Sequence, residues 1–164
     1  RAWRDGVGFG LGHGGIEALL TIGSVSFNNI VLLLAADQIL KAVESQQNPE
    51  ATEAVNQQID AVHSITAALA GMSLYERILA ITLHVAMSVL VLRAVREHRW
   101  VLWLAAVAIH IAFNSIAVGM MQLGPAAMYS ALTVSTLALL WALLKGPLSR
   151  KAVETKPAEP PLTA

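Results

Sequence analysis

Four apolar stretches of about 20 residues or more fill most of this 164-residue chain, and a stretch that long is what a helix needs to cross the hydrocarbon core of a bilayer. The first occupies residues 14–36 within a helical span of about 7–36, and Glu17 is its one acidic or basic residue. The second, 74–95, keeps an uncharged centre between Arg77 and Arg93, whose long side chains can snorkel to the interfaces. The third, 100–123, contains no Asp, Glu, Lys or Arg, and the fourth, 124–144, is apolar apart from hydroxyls. Gly124-Pro125 marks the tight turn between them. The predicted fold class is therefore all-α, a polytopic transmembrane helix bundle of about four spans.

Charge sets the expected orientation. Arg1 and Arg4 precede the first span, Arg93, Arg96 and Arg99 lie between the second and third, and Lys145, Arg150, Lys151 and Lys156 follow the fourth. The long connection 37–73 carries Asp37, Glu44, Glu50, Glu53 and Asp60 against Lys41 alone. By the positive-inside tendency both ends are predicted cytoplasmic. Trp100, Trp103 and Trp3 fit an interfacial aromatic belt. Eleven basic against eleven acidic residues give a net charge of zero, which excludes a nucleic-acid partner held by phosphate neutralisation. No cysteine is present, so disulfides, thiolate metal sites and a cysteine nucleophile are excluded as well. Because the chain starts at Arg1, it is expected to be a piece of a longer protein, and the lack of a signal peptide carries no information.

Within the long connection, Asn48 is placed to cap and Pro49 to open a helix. Ala51, Val55, Ile59, Val62, Ile65 and Leu69 then recur at helical spacing, and Gly71 ends the run. The expectation is an amphipathic surface helix over 49–71, between spans one and two. Residues 146–164, with Pro147, Pro157, Pro160 and Pro161, read as a disordered cytoplasmic tail.

Hydrocarbon penalises an unpaired carboxylate or imidazole by several kcal/mol, so Glu17, His84 and His110 should face protein or a water-filled cavity. At 1.5 Å per residue all three lie about 15 Å from the same face of the membrane. Same-face neighbours extend each helix's polar row: His13, Thr21, Ser24 and Asn28 around Glu17; Arg77 and Ser88 around His84; Asn114 one turn after His110. Gly6, Gly8, Gly10, Gly12, Gly14 and Gly15 strip side chains from the first helix and permit close approach.

A carboxylate beside two imidazoles can run water-based chemistry. Glu17 is the expected general base, His84 can hold the water or pass on its proton, and His110 with Asn114 can donate hydrogen bonds to a developing oxyanion. His13, Arg77 and Ser88 are read as supporting residues. Zinc could be held by Glu17, His84 and His110, but no His-Glu-x-x-His pattern occurs, so the expectation is a site without a cofactor. Two other classes use the same residues: a proton- or ion-coupled transporter, and a non-catalytic membrane subunit.

Three pieces carry a family resemblance: Gly10-Leu11-Gly12-His13-Gly14-Gly15-Ile16-Glu17-Ala18, then Glu76-Arg77 with His84 and Ser88, then His110 with Asn114. Together they span about residues 6–120, and here the chain resembles the YhfC-type intramembrane peptidases, relatives of the CAAX-protease and bacteriocin-processing superfamily. The resemblance implies a glutamic-type intramembrane protease acting on a membrane-associated peptide or protein. Glu17 and His84 would activate water, with His110 and Asn114 at the oxyanion. The superfamily's paired glutamates followed by arginine appear here as Glu17-Ala18, and its phenylalanine four residues before the histidine is Ala80.

Overall fold

The computed structural model describes residues 2–155, and among these the only regular structure is helical. Helix α1 (Ala2–Ala18) passes through a π-helical turn (Leu19–Gly23) into α2 (Ser24–Leu34). There follow α3 (Ala36–Glu44), α4 (Pro49–His63), α5 (Ala67–Arg96), α6 (Trp100–Met121), α7 (Pro125–Leu144) and the short α8 (Arg150–Glu154). Four runs are long and apolar enough to cross a membrane: Ala2–Leu34, Ala67–Arg96, Trp100–Met121 and Pro125–Leu144. The all-α, four-span architecture expected from sequence is thus what the chain forms. The described residues divide into two units. One comprises the chain up to Ile16 together with everything from Tyr75 onward, and the other is Glu17–Leu74.

In the first unit α5 is the central helix, with Leu83, Ala86 and Val89 almost wholly buried along it. Helix α1 lies antiparallel against α5, because three glycines one turn apart, Gly6, Gly10 and Gly14, are buried where they meet Val89, Val85 and Ile81 in turn. Small residues at such a contact let two backbones approach where hydrocarbon supplies no hydrophobic drive to associate. Helices α6 and α7 pair through a turn at Gly124, whose φ of 107° is the left-handed conformation that glycine adopts without strain, and Pro125 opens α7. The outer faces remain apolar, Trp100, Leu104 and Val118 of α6 being exposed, as suits a lipid solvent.

The tail expectation is corrected over residues 146–155. Leu148 and Val153 are buried, and backbone carbonyls hold the segment in place: Trp3 Nε1 donates to Leu148 O, Arg93 Nη1 to Pro147 O and Arg96 Nη1 to Val153 O, each at 2.8 Å. Prolines in the sequence argued for disorder, but two apolar anchors and three donors outweigh that tendency. Pro157, Pro160 and Pro161 lie outside the described residues.

In the second unit α3 and α4 pack together beside α2. Asn48 caps α4 as its side chain suggested, Oδ1 accepting from Ala51 N at 3.1 Å. The single surface helix over 49–71 does not form, however. Helix α4 stops at His63, Thr66 Oγ1 accepts from Leu69 N at 3.2 Å to start a new helix, and Gly71 lies inside α5. Ala51, Val55, Ile59 and Val62 are half-buried while Ile65 and Leu69 are exposed, so the apolar periodicity ran across a real break. Helix α3 was not foreseen from the sequence.

Candidate functional site: an imidazole cluster on an apolar cavity

His84 stands midway along α5, buried to 7% exposure. What brings α1 to it is the glycine face: a Cβ on Gly10 would lie 2.8 Å from His84 O, and one on Gly14 would lie 3.1 Å from His84 Cβ. With no side chain at either position, His13, on the next face of α1, sets its ring 4.9 Å from that of His84, tilted by 50°. From α6, His110 meets His84 edge-on at 5.4 Å and 64°. Phe9, one turn before His13, stacks on the His13 ring at 6.1 Å and 17°. Three helices of the first unit therefore deliver three imidazoles to one place.

These rings line one end of a cavity of about 350 Å³, with Ser88 beside them, one turn after His84. The rest of the wall is Phe9, Met87, Val91, Ala106, Val107 and Ile111. His84 and His110 thus converge as the depth argument expected. The sequence suggests His13 only as a supporting residue, because it lies nearer the N-terminal, expected cytoplasmic end of the span; its i, i+4 spacing to Glu17 on one helix was the signal that could have promoted it.

Asn114 and Arg77 do not line this cavity. Asn114 is exposed, although it follows His110 by one turn. Arg77 lies two turns before His84 and binds its neighbour, Nη2 donating to Glu76 Oε1 at 2.7 Å, while its Nε is buried without a hydrogen-bond partner among the described residues. Glu17 is partly buried on the last turn of α1, one turn beyond His13 along the same helix. Of the polar row expected after it, Thr21 and Ser24 are spent on backbone. Thr21 Oγ1 donates to Glu17 O at 2.8 Å, and Ser24 Oγ donates to Leu20 O and, at 3.2 Å, to Thr21 O. These bonds sit at the π turn, where Thr21 O accepts from Ser24 N as well as from the Ser24 hydroxyl.

Chemically, neutral imidazoles offer one acceptor nitrogen each and can hold a water or a borderline-soft divalent cation such as zinc. The donor set fits an ion: His13 and His84 offer ligand nitrogens within 4.8 Å of one another, a gap that side-chain rotation can close to the roughly 3.3 Å of two nitrogens sharing a tetrahedral zinc.

Comparison with known proteins bears on the same residues. The family model described as "YhfC intramembrane metalloprotease" matches residues 1–139. A protein of Bacillus subtilis (strain 168), described as "Uncharacterized membrane protein YhfC", is 36% identical over 121 residues, which is 71% of this chain and 45% of that one. The chain thus spans less than half the length of that relative. No solved structure matches.

Proposed function

This chain belongs to the YhfC intramembrane metalloprotease family and is an integral membrane protein, and from that premise we propose that it hydrolyses peptide bonds within the bilayer at the His13, His84 and His110 cluster. The observation that carries the reading is the convergence of three imidazoles from three helices on one cavity. Imidazoles in hydrocarbon are costly, and a merely structural role would need only one partner for each.

The proposed division of labour follows position. Glu17, carried one turn past His13 by α1, takes the proton from the attacking water and returns it to the leaving amine, so that the products are a carboxylate and an amine. His84 orients that water, and His110 donates to the oxyanion that develops on the carbonyl. Asn114 is left out of this set, being exposed and off the cavity wall. The expectation of no cofactor has no support, since the family description names a metal. His13 and His84 would hold it, with Glu17 or His110 as the third ligand. When bound, such an ion supplies Lewis acidity and a water that ionises near neutrality.

Metal content tests this directly. Purified wild-type protein should carry about one zinc per chain by elemental analysis, and His84→Ala should lose it together with activity. Activity that survives 1,10-phenanthroline and zinc removal would instead show the imidazoles and Glu17 working on water alone.

The proposed orientation puts both ends of the chain at the cytoplasmic face of a prokaryotic plasma membrane. Because the native chain has no cysteine, single introduced cysteines report it cleanly. Gln57→Cys should react with a membrane-impermeant maleimide in intact cells, and Arg150→Cys only after lysis; the reverse pattern would invert the topology.

A further inference from the structure

The cavity extends in one direction from the imidazoles, and that direction has a consequence for the substrate. On α1 the wall runs from His13 back to Phe9, on α5 from His84 forward to Met87 and Val91, and on α6 from Ile111 and His110 back to Ala106 and Val107. Helix α1 is antiparallel to α5, as Gly6, Gly10 and Gly14 meeting Val89, Val85 and Ile81 require, and α5 turns back into α6 within three residues. All three walls therefore descend toward the α5–α6 turn, reaching about 10 Å below the His84 level at Val91. Beyond the imidazoles that lower portion is lined by apolar side chains, with Ser88 the polar exception near its top.

Resting on the peptidase reading above, we propose that this lower portion is a specificity pocket that takes one large apolar side chain of the substrate, Leu or Phe in kind. That side chain neighbours the scissile bond on the side facing the α5–α6 turn. Two observations select this occupant. The pocket is continuous with the imidazoles, so whatever fills it sits beside the reacting carbonyl. The whole cavity, at about 350 Å³, also exceeds the roughly 150 Å³ that suffices for a benzene ring in an apolar cavity, leaving room for the peptide unit beside the imidazoles. Val107 of α6, partly exposed on the wall, and Met87 of α5, buried to 7%, set its width.

The test uses the full chain in proteoliposomes and quenched fluorogenic peptides that differ only in the residue on one side of the cleaved bond: Ala, Leu, Phe or Asp. Wild-type protein should prefer Leu and Phe over Ala by about 10- to 100-fold in kcat/KM, and reject Asp. Val107→Trp should compress the Leu-to-Ala ratio at least tenfold, and Met87→Ala should shift the preference toward Phe. Cleavage without side-chain preference, or a preference unmoved by both variants, overturns the pocket while leaving the peptidase reading intact. A second measurement needs no turnover: a peptide carrying a diazirine leucine should crosslink to the segments around Met87, Val91 and Val107, with label lost in Val107→Trp. Crosslinking without cleavage of any peptide would overturn the peptidase reading and keep the pocket. Label from a diazirine phosphatidylcholine that the peptide cannot displace would assign the cavity to lipid and overturn the proposal.

Discussion

Replacing Glu17 by Gln should lower kcat/KM for peptide cleavage by about a thousandfold, which corresponds to roughly 4 kcal/mol of transition-state stabilisation. The amide matches the carboxylate in shape and can still accept a hydrogen bond at its oxygen, but it cannot take a proton from water. Folding should be untouched, so the melting temperature in detergent should move by no more than a degree or two. Helix α1 places this residue one turn past His13, and no other acidic residue occurs between Asp5 and Asp37, so no neighbouring carboxylate on that span is available to substitute. The rival account makes Glu17 a helix-pairing carboxylate. In that case Gln would retain activity, while Glu17→Ala would lower stability and activity together. Zinc content separates the two catalytic versions: a base that is not a ligand leaves metal bound in Glu17→Gln, whereas a ligand lost takes the metal with it.

What the sequence revealed of this site, and what it hid, divides along physical lines. Span number and the meeting of His84 with His110 were legible because hydrocarbon tolerates so few polar groups that each one present is informative. His13 was undervalued because depth was the criterion, and it stands a turn nearer the N-terminal end of the first span than Glu17. Its role emerges from α1 packing on α5, a tertiary fact whose local signatures are the glycines and the i, i+4 spacing to Glu17. The π turn at Leu19–Gly23 was hidden too, since five residues of ordinary helical composition give no hint of which hydrogen bond is skipped. The C-terminal segment misled for the opposite reason. Its prolines signal disorder locally, while the groups that order it, Trp3, Arg93 and Arg96, are far away in sequence.

Of the six glycines in α1, the geometry singles out three, and alanine substitution should sort them by sign. On Gly10 a Cβ would overlap Val85 Cα and lie 2.8 Å from His84 O and 2.9 Å from Val85 N, all backbone atoms of a helix that cannot rotate aside. Gly10→Ala should therefore cost about 2–3 kcal/mol, at the upper end of what overpacking usually costs, and cleavage should fall with it. Gly8 and Gly12 meet nothing within 4 Å, so alanine there gains the ordinary helical preference of roughly 0.5–1 kcal/mol and should raise the melting temperature. Gly14, with its nearest atoms at 3.1 Å, should fall between. If Gly10→Ala lost stability but kept full activity, the approach of α1 would matter to folding alone. Loss of activity out of proportion to stability would show that the same glycine holds the His13 and His84 rings together. Since a helix pushed back from α5 carries His13 away from His84 while leaving His84 and His110 in contact, the expected signature is a fall in kcat and in bound zinc together. The His84–His110 pair would stay intact.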